Sequence, residues 1–233
     1  MIRAVLFDLD GTLKFNRPSG TEAFVQFSAE LGLSICADAR RKVERWTHSF
    51  WSGKHSGFAR MSNDTDAFWL DYTLNLLRAA GVEEALLDYA QAIRRAFAER
   101  YKPESYLHPE AHAVLRILGD SGYTLGLVSN RAEELTPVAA ELGLSSYFHF
   151  TLSGGQVSAW KPDTRIFHRA CELASAAPAE CLYVGDNFYA DVVGSQAAGL
   201  VPVLLDPNDI FPDAGCVRIK SLGDLLSVIG QST

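Results

Sequence analysis

Two carboxylates close the first apolar segment of the chain. Residues 4–7 are all apolar, and Asp8 and Asp10 follow with only Leu9 between them. A run that is apolar on both faces is typical of a buried parallel strand, so this strand ends in two acids whose charges repel each other. Such repulsion costs stability unless a cation or a chemical function makes use of it.

Polar side chains from four segments, distant in sequence, stand at the ends of predicted strands or just before a predicted helix. They are Asp8, Asp10 and Thr12, then Ser129 and Asn130, then Lys161, and then Asp186 and Asp191. Ligands of open parallel sheets bind beyond the carboxyl ends of the strands. We therefore expect these side chains to meet at one edge of the sheet.

This set of residue types suits phosphoryl transfer. Several carboxylates in one place require a cation, and oxygen-only ligation favours Mg²⁺. One carboxylate can attack phosphorus to form an aspartyl-phosphate, and a second can carry the proton of the leaving oxygen. A lysine, hydroxyl groups and loop N–H groups can neutralise the charge that develops on the phosphoryl group.

Four motifs resemble those of the haloacid-dehalogenase-like (HAD) hydrolase superfamily, in the family's order and at comparable spacing. They are F-D-L-D-G-T-L (7–13), S-N (129–130), K-P (161–162) and G-D-N-F-Y-A-D (185–191). The resemblance covers the whole chain. The insertion between Leu13 and about residue 105 is similar to the α-helical cap of the type I members.

The resemblance implies a role for each motif residue. Asp8 is expected to be the nucleophile, Asp10 the general acid and base, and Lys161 the cation that orients Asp8 and stabilises the phosphoryl group. The implied phosphate-binding residues are Thr12, Ser129, Asn130 and Lys161. The implied Mg²⁺ ligands are Asp8, Asp10 (through its main-chain carbonyl), Asp186 and Asp191, the last either on the metal or holding Lys161.

Periodicity divides the chain into two kinds of structure. Residues 21–101 show four helical patterns, the third starting near Asn63, and no convincing strand, whereas the remainder alternates strands with helices. Alternation of this kind predicts an α/β fold with a doubly wound parallel sheet, Rossmann-like in the HAD family. We expect a core domain at 1–14 and 106–233 and an inserted α-helical cap domain at 15–105.

Two further groups of residues favour a structural interpretation. His108 and His112 are spaced like a metal pair on one helix face, but no third ligand is near them in sequence. Several aromatic residues in the insertion recur at helical spacing and are interpreted as the core of the cap. These aromatic residues are Trp46, Phe50, Trp51, Phe58, Phe68, Trp69 and Tyr72.

Composition limits the partners. The 233 residues are 48% hydrophobic and carry a net charge of −7, with a pI near 5.4. An acidic chain without a Lys/Arg run is a poor nucleic-acid binder, and no run approaches the roughly 20 apolar residues of a membrane span. The four cysteines form no C-x-x-C pair. We expect a cytoplasmic protein, monomer or homodimer, that acts on a small phosphorylated metabolite.

The acid at position 10 distinguishes between the reactions that enzymes of the HAD-like family catalyse. A phosphoryl leaving group needs a proton donor and halide does not, and the family's dehalogenases lack an acid at this position. The sequence therefore favours Mg²⁺-dependent hydrolysis of a phosphate monoester. A sugar-phosphate mutase would use the same motifs, and a non-catalytic phosphate-binding protein could retain the fold. Lys14-Phe15-Asn16-Arg17 follows Leu13 where many relatives have Asp-Ser or Asp-Thr, so no substrate is assigned.

Overall fold

The computed structural model describes residues 1–52 and 66–230. The chain divides into two compact units. One consists of Met1–Phe15 with Tyr106–Thr233, and the other of Asn16–Ser105. These boundaries lie one residue from those expected for the core and cap domains at the first junction, and coincide with them at the second.

The first unit is built on a six-stranded parallel sheet. The strands of the chain are β1 (Ala4–Phe7), β2 (Lys14–Arg17), β3 (Glu104–Leu107), β4 (Thr124–Ser129), β5 (Phe150–Ser153), β6 (Cys181–Gly185), β7 (Val201–Leu205) and β8 (Val217–Ile219). The order in the large sheet is β5-β4-β1-β6-β7-β8, and every pair is parallel. This confirms the predicted doubly wound α/β class. The chain leaves β1 to one side for β4 and β5 and returns on the other side for β6, so β1 lies at the topological switch point.

Helices cover both faces of this sheet. The helices of the chain are α1 (Gly20–Glu30), α2 (Ala37–Ser52), α3 (Asp66–Ala79), α4 (Leu86–Arg100), α5 (Ala111–Asp120), α6 (Thr136–Glu141), α7 (Gly154–Val157), α8 (Thr164–Leu173), α9 (Gly194–Ala197) and α10 (Asp224–Gly230). One cluster of buried side chains joins α5, α6 and α10 to the sheet, and another joins α8 to the opposite face. Strand β1 is buried throughout, which explains its apolar run.

In the described part of the second unit, the regular structure is helical, apart from the ends that belong to β2 and β3. Helices α1 to α4 share a buried core that includes Phe24, Val43, Leu77 and Ile93. Helix α1 begins with a capping box in which Ser19 accepts from the N–H of Glu22 and the Glu22 carboxylate accepts from the N–H of Ser19. The predicted start of the third helix near Asn63 lies outside the described residues.

The aromatic residues of the insertion pack on one another. Trp46, Phe50 and Tyr72 have ring centroids 4.9–5.2 Å apart, and Phe50 also lies edge-on to Trp51 at 5.0 Å. This agrees with their interpretation as packing residues of the helical unit. Phe58 lies outside the described residues.

Three elements differ from the sequence prediction. The pairing strands β2 and β3 were not expected, because their four-residue segments are polar or half-exposed and lack an apolar run. The sequence also predicts a helix from about Asp191 to Ala198. This helix begins instead as a π-helix at Phe188–Val193 and continues as α9. In the part of the chain that the structure describes, no helix has both the length and the apolar character of a membrane span.

Candidate active site

Asp8 lies at the carboxyl end of β1 and is almost fully buried. Its main-chain N–H donates to the carbonyl of Val184 on β6, which continues the parallel ladder one residue beyond the strand. Only 5% of Asp8 is exposed. The sheet therefore fixes the position of the predicted nucleophile at the switch point.

Lys161 joins two of the predicted carboxylates. Its Nζ lies 2.6 Å from Oδ1 of Asp8 and 2.7 Å from Oδ1 of Asp191, and all three side chains are buried. The ammonium group also lies 5.4 Å from the centroid of the Tyr183 ring, whose hydroxyl donates to the carbonyl of Val128. One buried cation thus holds two buried anions in fixed positions.

Asp186 brings a third carboxylate to this place. Oxygen atoms of Asp8, Asp186 and Asp191 lie within 4.8 Å of one another. The Thr12 hydroxyl is 3.3 Å from Asp8 and 3.2 Å from Asp186, so it bridges the two. When all four groups are ionised, three carboxylates and one ammonium group leave an excess of two negative charges. A hard divalent cation with oxygen ligands fits both this charge and these donors.

The pKa values of the clustered side chains also indicate that the site needs additional positive charge. Burial raises the pKa of Asp8 to about 7, opposed by the charge of Lys161 and assisted by that of Asp191. Burial, with the charges of Asp8 and Asp191, also raises the pKa of Asp186 well above its usual range. Burial opposes the charge on Lys161, but Asp191 and Asp8 hold the pKa of this ammonium group well above its usual value. The carboxylates are thus short of positive charge.

Local sequence explains how the acids come so close. Gly11 has a φ of +96°, and a Cβ at this residue would overlap the carboxylate of Asp186. A Cβ at Gly185 would overlap the side chain of Asp191 in the same way. The Asn187 side chain caps the π-helix by accepting from the N–H groups of residues 189 and 190, and the main-chain N–H of Asn187 donates to Oδ2 of Asp191. Two glycines and one cap therefore position Asp186 and Asp191.

Asn130 supports Lys161 from the end of β4. Its Oδ1 accepts from the main-chain N–H of Lys161 at 2.6 Å, and its Nδ2 donates to the Lys161 carbonyl at 2.9 Å. The carboxamide therefore recognises the lysine backbone as a strand neighbour would, which makes Asn130 a positioning residue here. Ser129 ends β4 opposite Ser153 of β5 and is 3% exposed.

Asp10 points to a different environment from Asp8. Its carboxylate accepts from Nε and Nη2 of Arg131 at 2.7 and 2.8 Å, and from Lys14 at 3.2 Å. Burial opposes the charge of Asp10, but Arg131 and Lys14 hold its pKa below the usual range. Its side chain is 43% exposed and lies outside the group of three clustered carboxylates. A metal contact of Asp10 would therefore run through its main-chain carbonyl, as the resemblance implies.

A family model for haloacid dehalogenase-like hydrolases matches residues 2–199. The chain belongs to this family. The human haloacid dehalogenase-like hydrolase domain-containing protein 3 is 30% identical over 228 residues, covering 88% of this chain and 85% of the human one. The phosphoglycolate phosphatase of Nitrosococcus oceani is 28% identical over 233 residues, covering 96% of each chain.

Solved structures of other HAD-like hydrolases share the fold. A 2-haloacid dehalogenase from Pseudomonas syringae pv. Tomato DC3000 superposes with a TM-score of 0.58 at 25% identity, over 100% of both chains. A predicted phosphoglycolate phosphatase from Haemophilus somnus gives a TM-score of 0.61 at 20% identity, over 98% of both chains.

The structure of this HAD-like hydrolase also shows where the remaining candidates lie. His108 accepts from the N–H of Glu110 ahead of α5, and His112 lies 3.2 Å from the Tyr147 hydroxyl. These two histidines therefore have separate structural partners. Sequence reasoning did not single out Arg131, although it directly follows the Ser129-Asn130 motif, and that adjacency was the available signal.

Proposed function

We propose that this HAD-like hydrolase cleaves small phosphate monoesters with Mg²⁺ through an aspartyl-phosphate on Asp8. The observation that carries the proposal is the contrast between two nearby acids. Asp8 is buried against Lys161 at 2.6 Å, whereas Asp10 is half-exposed beside Arg131. We infer that the buried acid attacks phosphorus and that the half-exposed acid, which solvent can reach, carries the proton.

In the first step, a carboxylate oxygen of Asp8 attacks phosphorus. The new O–P bond forms as the ester P–O bond breaks, and Asp10 gives its proton to the departing alcohol oxygen. Arg131 and Lys14 hold Asp10 ionised at rest, so Asp10 must first take up this proton from solvent. That uptake requires the Asp10–Arg131 pair to loosen when substrate binds. Lys161, which contacts Asp8, and the Ser129 hydroxyl at the end of β4 would offset negative charge on the phosphoryl oxygens.

In the second step, water attacks the phosphorus of the aspartyl-phosphate. Asp10, now a carboxylate, takes a proton from this water, and the Asp8–phosphorus bond breaks. Inorganic phosphate leaves and Asp8 returns as a carboxylate. Lys161 and Asp191 keep Asp8 in one orientation through both steps, because the Lys161 Nζ contacts both carboxylates.

Asp8 and Asp186, with the main-chain carbonyl of Asp10, would hold the Mg²⁺ ion, and Asp191 is largely committed to Lys161 and Asn187. When bound, the ion would supply positive charge to the phosphoryl oxygens and offset the excess charge of the cluster.

Dehalogenation is disfavoured even though one structural neighbour is a 2-haloacid dehalogenase, since that likeness concerns the fold and Asp10 supplies a proton that halide does not need. The relatives named phosphoglycolate phosphatase support a small phosphate monoester as substrate. Phosphoglycolate is accordingly the first natural substrate to test.

The test is hydrolysis of p-nitrophenyl phosphate with and without Mg²⁺. We expect turnover with Mg²⁺, none in EDTA, and a loss of about 10³-fold or more in kcat for Asp8→Asn, because the amide cannot attack phosphorus. Asp209→Asn, an equivalent change at a half-exposed carboxylate beside Arg218, is the matched control and should retain activity. Full activity in EDTA or in Asp8→Asn would refute the mechanism.

Release of inorganic phosphate, rather than transfer of the phosphoryl group to a second position of a sugar, distinguishes a hydrolase from a mutase.

A further inference from the structure

The guanidinium group of Arg131 lies beside the proposed phosphoryl site, and only part of it is hydrogen-bonded to Asp10. Asp10 occupies only one edge of it, accepting from Nε and Nη2 at 2.7 and 2.8 Å. Among the described residues, no acceptor lies within hydrogen-bond distance of Nη1. A guanidinium has five N–H donors in a planar fork, so its second edge can take another carboxylate side by side with the first.

The position of this edge is fixed by the chain itself. Arg131 follows Ser129 and Asn130 directly, and Asn130 is held to the Lys161 backbone by two hydrogen bonds. The Arg131 carbonyl also accepts from the N–H of Gly155, where a Cβ would collide with the main chain of Ala132. The loop that carries Arg131 is therefore packed tightly on both sides of the residue.

The side chain is accessible as well as anchored. Arg131 is 33% exposed and Asp10 is 43% exposed, while Lys161 is 3% exposed. Lys14 adds a second ammonium group, 3.2 Å from Asp10. Two cations thus face one carboxylate at the exposed side of the site, whereas the buried side has an excess of carboxylates.

The structure assigns Arg131 as the binding site for a second anionic group of the substrate, a carboxylate close to the transferred phosphoryl group. The assignment rests on the proposed phosphatase activity and adds the substrate class, namely phosphate monoesters that carry a carboxylate near the ester oxygen. A substrate carboxylate on the second edge shares the guanidinium with Asp10.

Two probes isolate the carboxylate. Phosphoglycolate and ethyl phosphate differ only in a carboxylate where the second has a methyl group. The measured quantity is the ratio of kcat/KM for phosphoglycolate to kcat/KM for ethyl phosphate, with Mg²⁺ present. Effects of a variant on the shared chemistry cancel in this ratio, so it reports on recognition of the carboxylate.

We expect Arg131→Gln to lower this ratio by about 10- to 100-fold, the effect of losing a charge-assisted bidentate contact. Arg131→Lys keeps the charge without the fork and should give an intermediate ratio. Arg169→Gln removes an exposed arginine that pairs with Glu172 on α8, and it should leave the ratio within about twofold.

The proposal is overturned if Arg131→Gln changes both substrates by the same factor, because Arg131 would then act only on Asp10. It is also overturned if the wild-type ratio is near one. If Arg131→Gln does not fold, as judged by circular dichroism, the ratio for Arg131→Lys decides, and a wild-type value refutes the assignment. Failure of the phosphatase activity itself has a different signature, since the wild type would then hydrolyse neither probe nor p-nitrophenyl phosphate.

Discussion

Lys161 is the residue on which the charge balance of the site depends. It contacts Asp8 at 2.6 Å and Asp191 at 2.7 Å, and all three are buried. Removing one partner of a buried ion pair leaves an uncompensated charge in a region that water does not reach. The lysine therefore contributes to folding as well as to the proposed chemistry.

Replacement of this lysine gives a prediction at the residue scale. Lys161→Met should lower the free energy of unfolding by about 3–5 kcal/mol, measured by urea denaturation in EDTA. Adding Asp191→Asn should recover part of the loss, because one of the two stranded charges is removed. Lys14→Met, which breaks the 3.2 Å pair with the 43% exposed side chain of Asp10, should cost less than about 1 kcal/mol. A similar small loss in Lys161→Met would contradict this view of the cluster.

The residues of the site could be named from the sequence, but their individual contacts could not. The motifs predict that Asp8, Lys161, Asp186 and Asp191 lie close together, because the carboxyl ends of parallel strands meet at one edge of the sheet. The structure places these four side chains together. The use of the Asn130 carboxamide on the Lys161 backbone depends on side-chain geometry that no spacing reveals.

Among the elements, the apolar runs at 124–129 and 181–185 predict β4 and β6 with their observed bounds, since buried parallel strands are short apolar runs with clear ends. The π-helix at Phe188–Val193 could not be predicted in this way. Its extra residue per turn has no hydrophobic signature, although the π-helix contains Asp191, which accepts from Lys161. The sequence does not predict strands β2 and β3, because they are defined by their hydrogen bonds to each other and not by a buried apolar run.

The close approach of β6 to the π-helix gives a prediction at the element scale. Gly185→Ala should destabilise the protein by about 1–3 kcal/mol and reduce activity, because its Cβ would overlap Asp191. Gly119→Ala is the matched control on α5, where nothing lies within 4 Å of the added Cβ. It should be neutral or stabilise by up to about 1 kcal/mol. The two urea midpoints, measured in parallel, check the pair, and equal midpoints would refute the packing argument.

At the scale of the whole molecule, the site exists only when the core unit has folded. Asp8 and Lys161 are 153 residues apart in sequence, and the sheet brings them within hydrogen-bond distance. The excess of two negative charges in the folded cluster should bind a divalent cation that the unfolded chain does not. We therefore expect metal binding and folding to be coupled.

Mg²⁺ affinity should rise with pH. In the metal-free protein, burial raises the pKa of Asp8 to about 7 and that of Asp186 well above its usual range, so protons occupy the site near neutrality. The metal must displace these protons, and each displaced proton should raise the affinity by up to about tenfold per pH unit. The part that belongs to Asp8 should fall between about pH 6 and pH 8. Calorimetry in buffers of different ionisation enthalpy should show proton release. Binding that is independent of pH and buffer would contradict the predicted protonation.

The phosphorylated form of Asp8 is the central claim, and rapid quenching followed by borohydride reduction tests it most directly. Borohydride converts an acyl phosphate to an alcohol, so a phosphorylated Asp8 becomes homoserine, which peptide mass spectrometry detects. We predict homoserine at position 8 only when Mg²⁺ and a phosphate monoester are both present, at quench times shorter than one turnover. Release of phosphate with position 8 remaining aspartate at every quench time, or reduction at a different residue, would contradict the account.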